Sequence, residues 1–146
     1  MKYKPIICLC LFAHLSFPAF CQSDSNATPP ESRLLHFTET STTDSDRAEL
    51  NVLLREQDTR EFVYGATVLL HRQIPNQVHG KISQWDGLCH FKVAPGTYKL
   101  RVQLTGLVAY EMEGVELPAG HAYDMEIELA RMKPPVPSAK QQAGKN

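Results

Sequence analysis

The imidazoles of His71, His79, His90 and His121 have the widest chemical reach in this sequence. A neutral imidazole ligates metals and exchanges a proton near pH 7. No pair among the four has metal-type spacing, so a histidine metal or proton site requires the fold to gather them. The commoner place for such residues is the solvated side of a strand. Cys89 lies beside Leu88 and close to Phe91, which suits a small buried hydrophobe. A nucleophilic thiolate would need a positive, partly exposed setting. Trp85 and Asp86 sit between two strand-like runs, and a tryptophan in a turn offers a broad apolar face to a protein or a sugar. No Ser-His-Asp order, glycine-rich phosphate loop or paired-carboxylate signature accompanies these residues. No catalytic residue, metal ligand or cofactor is therefore expected.

The elements that position these residues read as strands. The chain has 146 residues, 42% apolar, with ten prolines and eight glycines among its apolar runs. Its formal net charge of −1 lacks the basic footprint of a nucleic-acid binder. Strict alternation is clearest over 97–104, where Tyr98, Leu100, Val102 and Leu104 share one parity. Similar runs occur at 48–55, 64–72, 78–84, 88–93, 107–117 and 123–129, the fourth with Cys89, Phe91 and Val93 on one side. Asp86-Gly87, Ala94-Pro95-Gly96 and Pro118-Ala119-Gly120 mark tight turns between them. Seven short runs with short connections and no amphipathic helix predict an all-β antiparallel sandwich.

The ends of the chain read differently. Lys2 and Lys4 precede a mostly apolar stretch, Ile6 to Phe20, and the chain turns polar from Gln22. At about 15 residues that stretch is shorter than a bilayer span of about 20, so residues 1–21 read as a secretory signal peptide. Ala19 and Cys21 fit cleavage after Cys21. The alternative makes Cys21 the lipid-anchored first residue of an outer-membrane lipoprotein, although Phe20 replaces the small residue usual before such a cysteine. The expected location is thus periplasmic or secreted, with no transmembrane helix in the mature chain. Processing removes Cys8 and Cys10 and leaves 13 basic against 16 acidic residues, a net charge of −3. Cys89 is then the one thiol inside the fold, and no internal disulfide is expected. Residues 22–47 are Ser-, Thr- and Pro-rich and read as a polar linker, with an apolar island at Leu34-Leu35-His36-Phe37 suited to a short docking strand. Residues 48–132 form the folded block, and 133–146 a disordered polar tail.

Within that block, Gly65-Ala66-Thr67-Val68-Leu69-Leu70, then Asp86-Gly87-Leu88-Cys89-His90-Phe91, then Ala94-Pro95-Gly96-Thr97-Tyr98-Lys99-Leu100-Arg101-Val102 resemble the carboxypeptidase regulatory-like domain. Val115-Glu116-Leu117-Pro118-Ala119-Gly120 and Ile127-Glu128-Leu129 continue the likeness, which covers essentially the whole block. The resemblance implies a seven-stranded Greek-key sandwich of transthyretin or prealbumin type, with Gly65, Gly87, Phe91, Gly96, Tyr98 and Leu100 as structural positions. The connection Gln84-Trp85-Asp86-Gly87 is shorter than the family's usual turn.

Such domains accompany zinc carboxypeptidases or outer-membrane receptors as accessory modules, so the resemblance implies a non-catalytic role. His36-Phe37-Thr38-Glu39 spells the H-x-x-E of those peptidases, but no peptidase domain follows to complete it. The expected function is an exported interaction module binding a protein or envelope glycan through its loops, Trp85 and Asp86 above all, or through a sheet edge. Two alternatives stand beside it. One is a histidine-based metal-binding or enzymatic protein; the other is a structural accessory to a separately encoded peptidase or outer-membrane transporter.

Overall fold

The computed structural model describes residues 29–42 and 44–134. The expected signal segment 1–21, with Cys21 and its lipid-anchor alternative, lies outside the described residues, as do 135–146 of the expected tail. Eight strands follow one another: β1 (Arg33–Thr42), β2 (Ala48–Glu56), β3 (Thr67–Arg72), β4 (Gln77–Ile82), β5 (Leu88–Val93), β6 (Gly96–Gln103), β7 (Tyr110–Leu117) and β8 (His121–Leu129). They form two four-stranded sheets, ordered β1-β8-β2-β5 and β4-β3-β6-β7. The protein is all-β, and no helix among the described residues is long and apolar enough to cross a membrane.

Alternation builds the core. β2 turns Ala48, Leu50, Val52 and Leu54 inward, β5 adds Cys89, Phe91 and Val93, and β8 adds Met125, Ile127 and Leu129. The second sheet answers with Val68 and Leu70 from β3, Tyr98, Leu100 and Val102 from β6, and Val115 and Leu117 from β7. Period-two patterning forces each of these sets onto one face, and the two faces bury one another. The Tyr98 hydroxyl donates to the Ala94 carbonyl at 2.6 Å, so the largest core side chain buries its ring without stranding its polar end.

Three sequence expectations need correction. The strand count is eight, because β1 occupies ten residues of the stretch read as a linker, well beyond the apolar island. Composition underrated it: Leu34 and Phe37 pack on the core, and pairing with β8 from Arg33↔Glu128 to Thr42↔His121 satisfies backbone that isolated polar residues would leave to water. The pairing is also not wholly antiparallel, since β2 and β8 run parallel along Glu49↔Ala122 to Glu56↔Leu129. Strands so far apart in sequence are free to meet in either direction. Finally, short connections do not all make hairpins. β3–β4 and β6–β7 pair within one sheet, whereas the 83–87, Ala94-Pro95 and 118–120 turns carry the chain from one sheet to the other. Two linking residues span about 10 Å, the spacing of packed sheets, so even Ala94-Pro95 is long enough to cross.

Candidate functional site

The turn bearing Trp85 is fixed from both sides. The Gly87 N–H donates to the Gln84 carbonyl at 2.9 Å, and the Gln84 N–H donates to the Leu88 carbonyl at 3.0 Å. Asp86 Oδ1 accepts the Leu88 N–H at 3.1 Å, so this carboxylate shapes the turn. Gly87 has φ +75°, and a Cβ there would stand 2.5 Å from the Leu54 carbonyl oxygen, which leaves glycine as the one residue that fits. Trp85 projects from the turn into solvent.

Ser83 ties this turn to the neighbouring loop. Its buried Oγ donates to the Val63 carbonyl at 2.7 Å and accepts the Ala66 N–H at 2.9 Å. Its backbone adds the Gly65 N–H to Ser83 carbonyl bond at 3.0 Å and the Ser83 N–H to Ala66 carbonyl bond at 2.8 Å. Gly65, at φ +81° with open space around it, serves the loop's reversal rather than a close approach. The loop bearing Tyr64 is thereby tied to the end of β4. Phe62 packs against the Gly87 side of the same end, with the Arg55 guanidinium 4.5 Å from its ring centre.

The most exposed large apolar side chains mostly lie on one strand or in the turns at its ends. They are Ile74 (85% exposed), Trp85 (80%), Tyr64 (71%), Ile82 (65%) and Val78 (60%). Val78 and Ile82 stand on the outer face of β4, Ile74 is in the turn before it and Trp85 in the turn after it, while Tyr64, in the 57–66 loop, lines a cleft with Leu104, Leu107 and Met132. Gly80 sits between Val78 and Ile82, and Leu69 of β3 fills the place of its missing side chain, its Cδ2 3.1 Å from where a Cβ would be. Val78, Gly80 and Ile82 thus form a short apolar strip on the outer face of an unpaired sheet edge, with Ile74 and Trp85 in the turns at its two ends.

The other three edges are protected. β1 carries two register irregularities and a polar surface of Thr, Glu and Ser. β5 turns His90 and Lys92 outward, with the Lys92 Nζ 2.9 Å from Glu49, whose carboxyl this bond holds below its usual range. β7 presents Glu111 and Glu113 to Lys99, at 2.9 and 3.2 Å, and the hydrogen bond to Glu111 raises the Lys99 ammonium pKa while it lowers that of Glu111. Charges and bulges of this kind keep strand edges from pairing with other chains. β4 has only His79 and Lys81, both on its inner side, with the Lys81 ammonium 5.7 Å from the Phe91 ring centre.

The four histidines do not meet. The His71 Nε2 lies 2.9 Å from Asn76 Oδ1, and the His121 Nδ1 lies 2.9 Å from Glu39 Oε1. The His79 ring is inside, 6.3 Å from that of Tyr98, its Nε2 buried without a hydrogen-bond partner. His90 Nδ1 donates to Asn51 Oδ1 at 2.7 Å, and Asn51 Nδ2 donates to Asp124 at 2.8 Å, on the outer face of the other sheet. His36 lines that cleft of about 450 Å³, while Glu39 turns to His121, so the H-x-x-E pair is split. Among the described residues no three His, Cys, Asp or Glu side chains are grouped to hold a metal. Burial pushes the Cys89 thiol up to about 11, which keeps it protonated and unreactive at neutral pH.

Sequence reading placed Trp85 in a turn, but two hubs escaped it. Ser83 looks like any strand-end serine; only its burial shows that it joins two loops. Glu128 is fully buried on β8, and its carboxylate is gripped by Arg33 of β1 and by Arg60 of the 57–66 loop. The alternation of 123–129 gave it a wet face.

A two-sheet β-sandwich with one open, apolar edge is therefore the class of protein that the fold and the site define. No family model matches the chain, and no curated protein matches it.

Proposed function

We propose that this protein is an exported, non-catalytic interaction module that receives a protein partner along β4 and the two turns flanking it. The observation that carries this reading is the placing of four of its most exposed apolar side chains, Ile74, Val78, Ile82 and Trp85, on β4 and in the turns at its two ends, at the one edge without outward charges or irregularities. A free edge offers main-chain N–H and C=O groups in register for an incoming strand, and the flanking side chains supply apolar contact. A polypeptide uses both; a glycan would use Trp85 alone. Export rests on the signal-like start at residues 1–21. The resemblance to carboxypeptidase regulatory-like domains supports an accessory role, with β2–β8 as the seven strands of a Greek-key core and β1 as an addition. Nucleic acid is not among the expected partners.

The test places a photo-crosslinking residue at Gln84, beside Trp85, or at Lys92 on the opposite sheet, and irradiates the protein in an envelope extract of its source. A discrete crosslinked protein from position 84 and none from position 92 is the expected result. Equal products from both positions, or none from either, would overturn the reading.

A further inference from the structure

We infer that the strand received by β4 is β4 of a second copy, paired antiparallel about a two-fold axis through Gly80. This inference rests on the reading of β4 as a docking edge and names its occupant. Its basis is the symmetry of the exposed residues. Val78 and Ile82 lie two residues to either side of Gly80 on the same outer face. An antiparallel pairing centred on Gly80 sets Val78 opposite Ile82 of the second copy and Ile82 opposite its Val78, giving two apolar cross-strand pairs from one operation. The two glycines meet at the axis, where side chains would be most crowded, and Leu69 of each copy closes the stripe from behind.

The ends of the strand match in the same way. Ile74 precedes Gly80 by six residues and Trp85 follows it by five. Antiparallel pairing brings the beginning of one β4 beside the end of the other, so the Trp85 turn of each copy lies against the Ile74-Pro75 turn of its mate. Val78, Ile82, Ile74 and Trp85 thus find apolar partners at once, each contact occurring twice. A shift of one residue would set the outer side chains of one copy against the inner side of the other, where His79 and Lys81 lie. A shift of two would place Val78 or Ile82 against Gly80 and leave the other unpaired. One register therefore satisfies the edge. An arbitrary foreign strand has no reason to repeat this spacing.

A six-residue strand pair with two end contacts falls within the small-interface class, below about 1,200 Å² in total, so the dimer is weak and concentration-dependent. Registered cross-strand positions have Cα atoms about 4.5–5.5 Å apart, within reach of a disulfide. The test uses the full chain with Cys8, Cys10 and Cys21 changed to serine, leaving Cys89 buried. Val78→Cys protein is mixed with Ile82→Cys protein under mild oxidation, and each is also oxidised alone. The mixture should form dimer at least five-fold faster than either single variant. Sedimentation of the parent should show reversible dimer, and Ile82→Lys should weaken it at least ten-fold with the folded spectrum unchanged. Equal crosslinking in all three reactions would overturn the register. A chain that stays monomeric at millimolar concentration would overturn the inference while a foreign crosslink at Gln84 still upheld the docking edge; absence of both would remove the two together.

Discussion

The Ser83 hydroxyl donates to the Val63 carbonyl at 2.7 Å across the end of the sandwich, joining the loop that carries Tyr64 to the turn that carries Trp85. Both groups are buried, and the same oxygen accepts the Ala66 N–H. Ser83→Ala strands a carbonyl and an amide inside the protein. A loss of about 1–3 kcal/mol in unfolding free energy is expected, against a change within about 0.5 kcal/mol for exposed Gln84→Ala. Urea denaturation of the two variants checks it.

Tyr98 and Lys99 are neighbours on β6 with opposite fates. Tyr98→Ala removes a fully buried ring and should cost about 3–5 kcal/mol. Lys99→Ala removes exposed, solvent-screened ion pairs with Glu111 and Glu113, and the expected loss is a small fraction of that for Tyr98→Ala. Equal losses in thermal or urea unfolding would contradict the face assignment of the strand.

Glu128 gives an unequal pair of outcomes. Its carboxylate is buried, while Arg33 and Arg60 remain more than half exposed. Removing both arginines leaves an uncompensated charge inside, at about 3–5 kcal/mol. Glu128→Met leaves two cations that can turn to water and should cost much less. Unfolding free energies of the Arg33→Ala/Arg60→Ala and Glu128→Met variants test this order.

Cys89 adds a pH dependence. Its thiol pKa, about 11 in the folded chain, is raised by burial above the ordinary 9.0. Below pH 9 the folded and unfolded chains both keep the proton. Between pH 9 and 11 the unfolded chain releases it while the folded chain holds it, so stability falls as pH rises through that window. The decline from pH 8.5 to 10.5 should be shallower in Cys89→Ala than in the parent, and thiol reagents should react slowly until the protein unfolds.

Much of the sandwich was legible because its strands obey a two-residue period. β5 matches its expected limits, and β2, β6 and β8 fall within two residues of theirs. β1 was only partly legible: Leu34 and Phe37 announce it, but its polar remainder becomes a strand only because the edge of β8 is there to pair with. The sheet assignment of β4 and β5 was also hidden. Asp86-Gly87 signals a reversal, yet local turn chemistry does not distinguish a hairpin from a crossing between sheets. At the candidate site, Trp85 was visible from its position in a turn. That its turn is tied to the loop bearing Tyr64 depends on tertiary contacts through Ser83, which a serine by itself does not advertise.

The most direct measurement of the docking edge is photo-crosslinking yield from position 84 in the parent and in an Ile82→Lys/Trp85→Ala variant, with melting temperatures recorded alongside. Both substituted side chains are exposed, so the melting temperature should move by no more than about 3 °C. The expected result is at least a ten-fold loss of crosslinked product in a fully folded variant. Undiminished crosslinking from that variant would contradict a partner seated on β4 and its flanking turns.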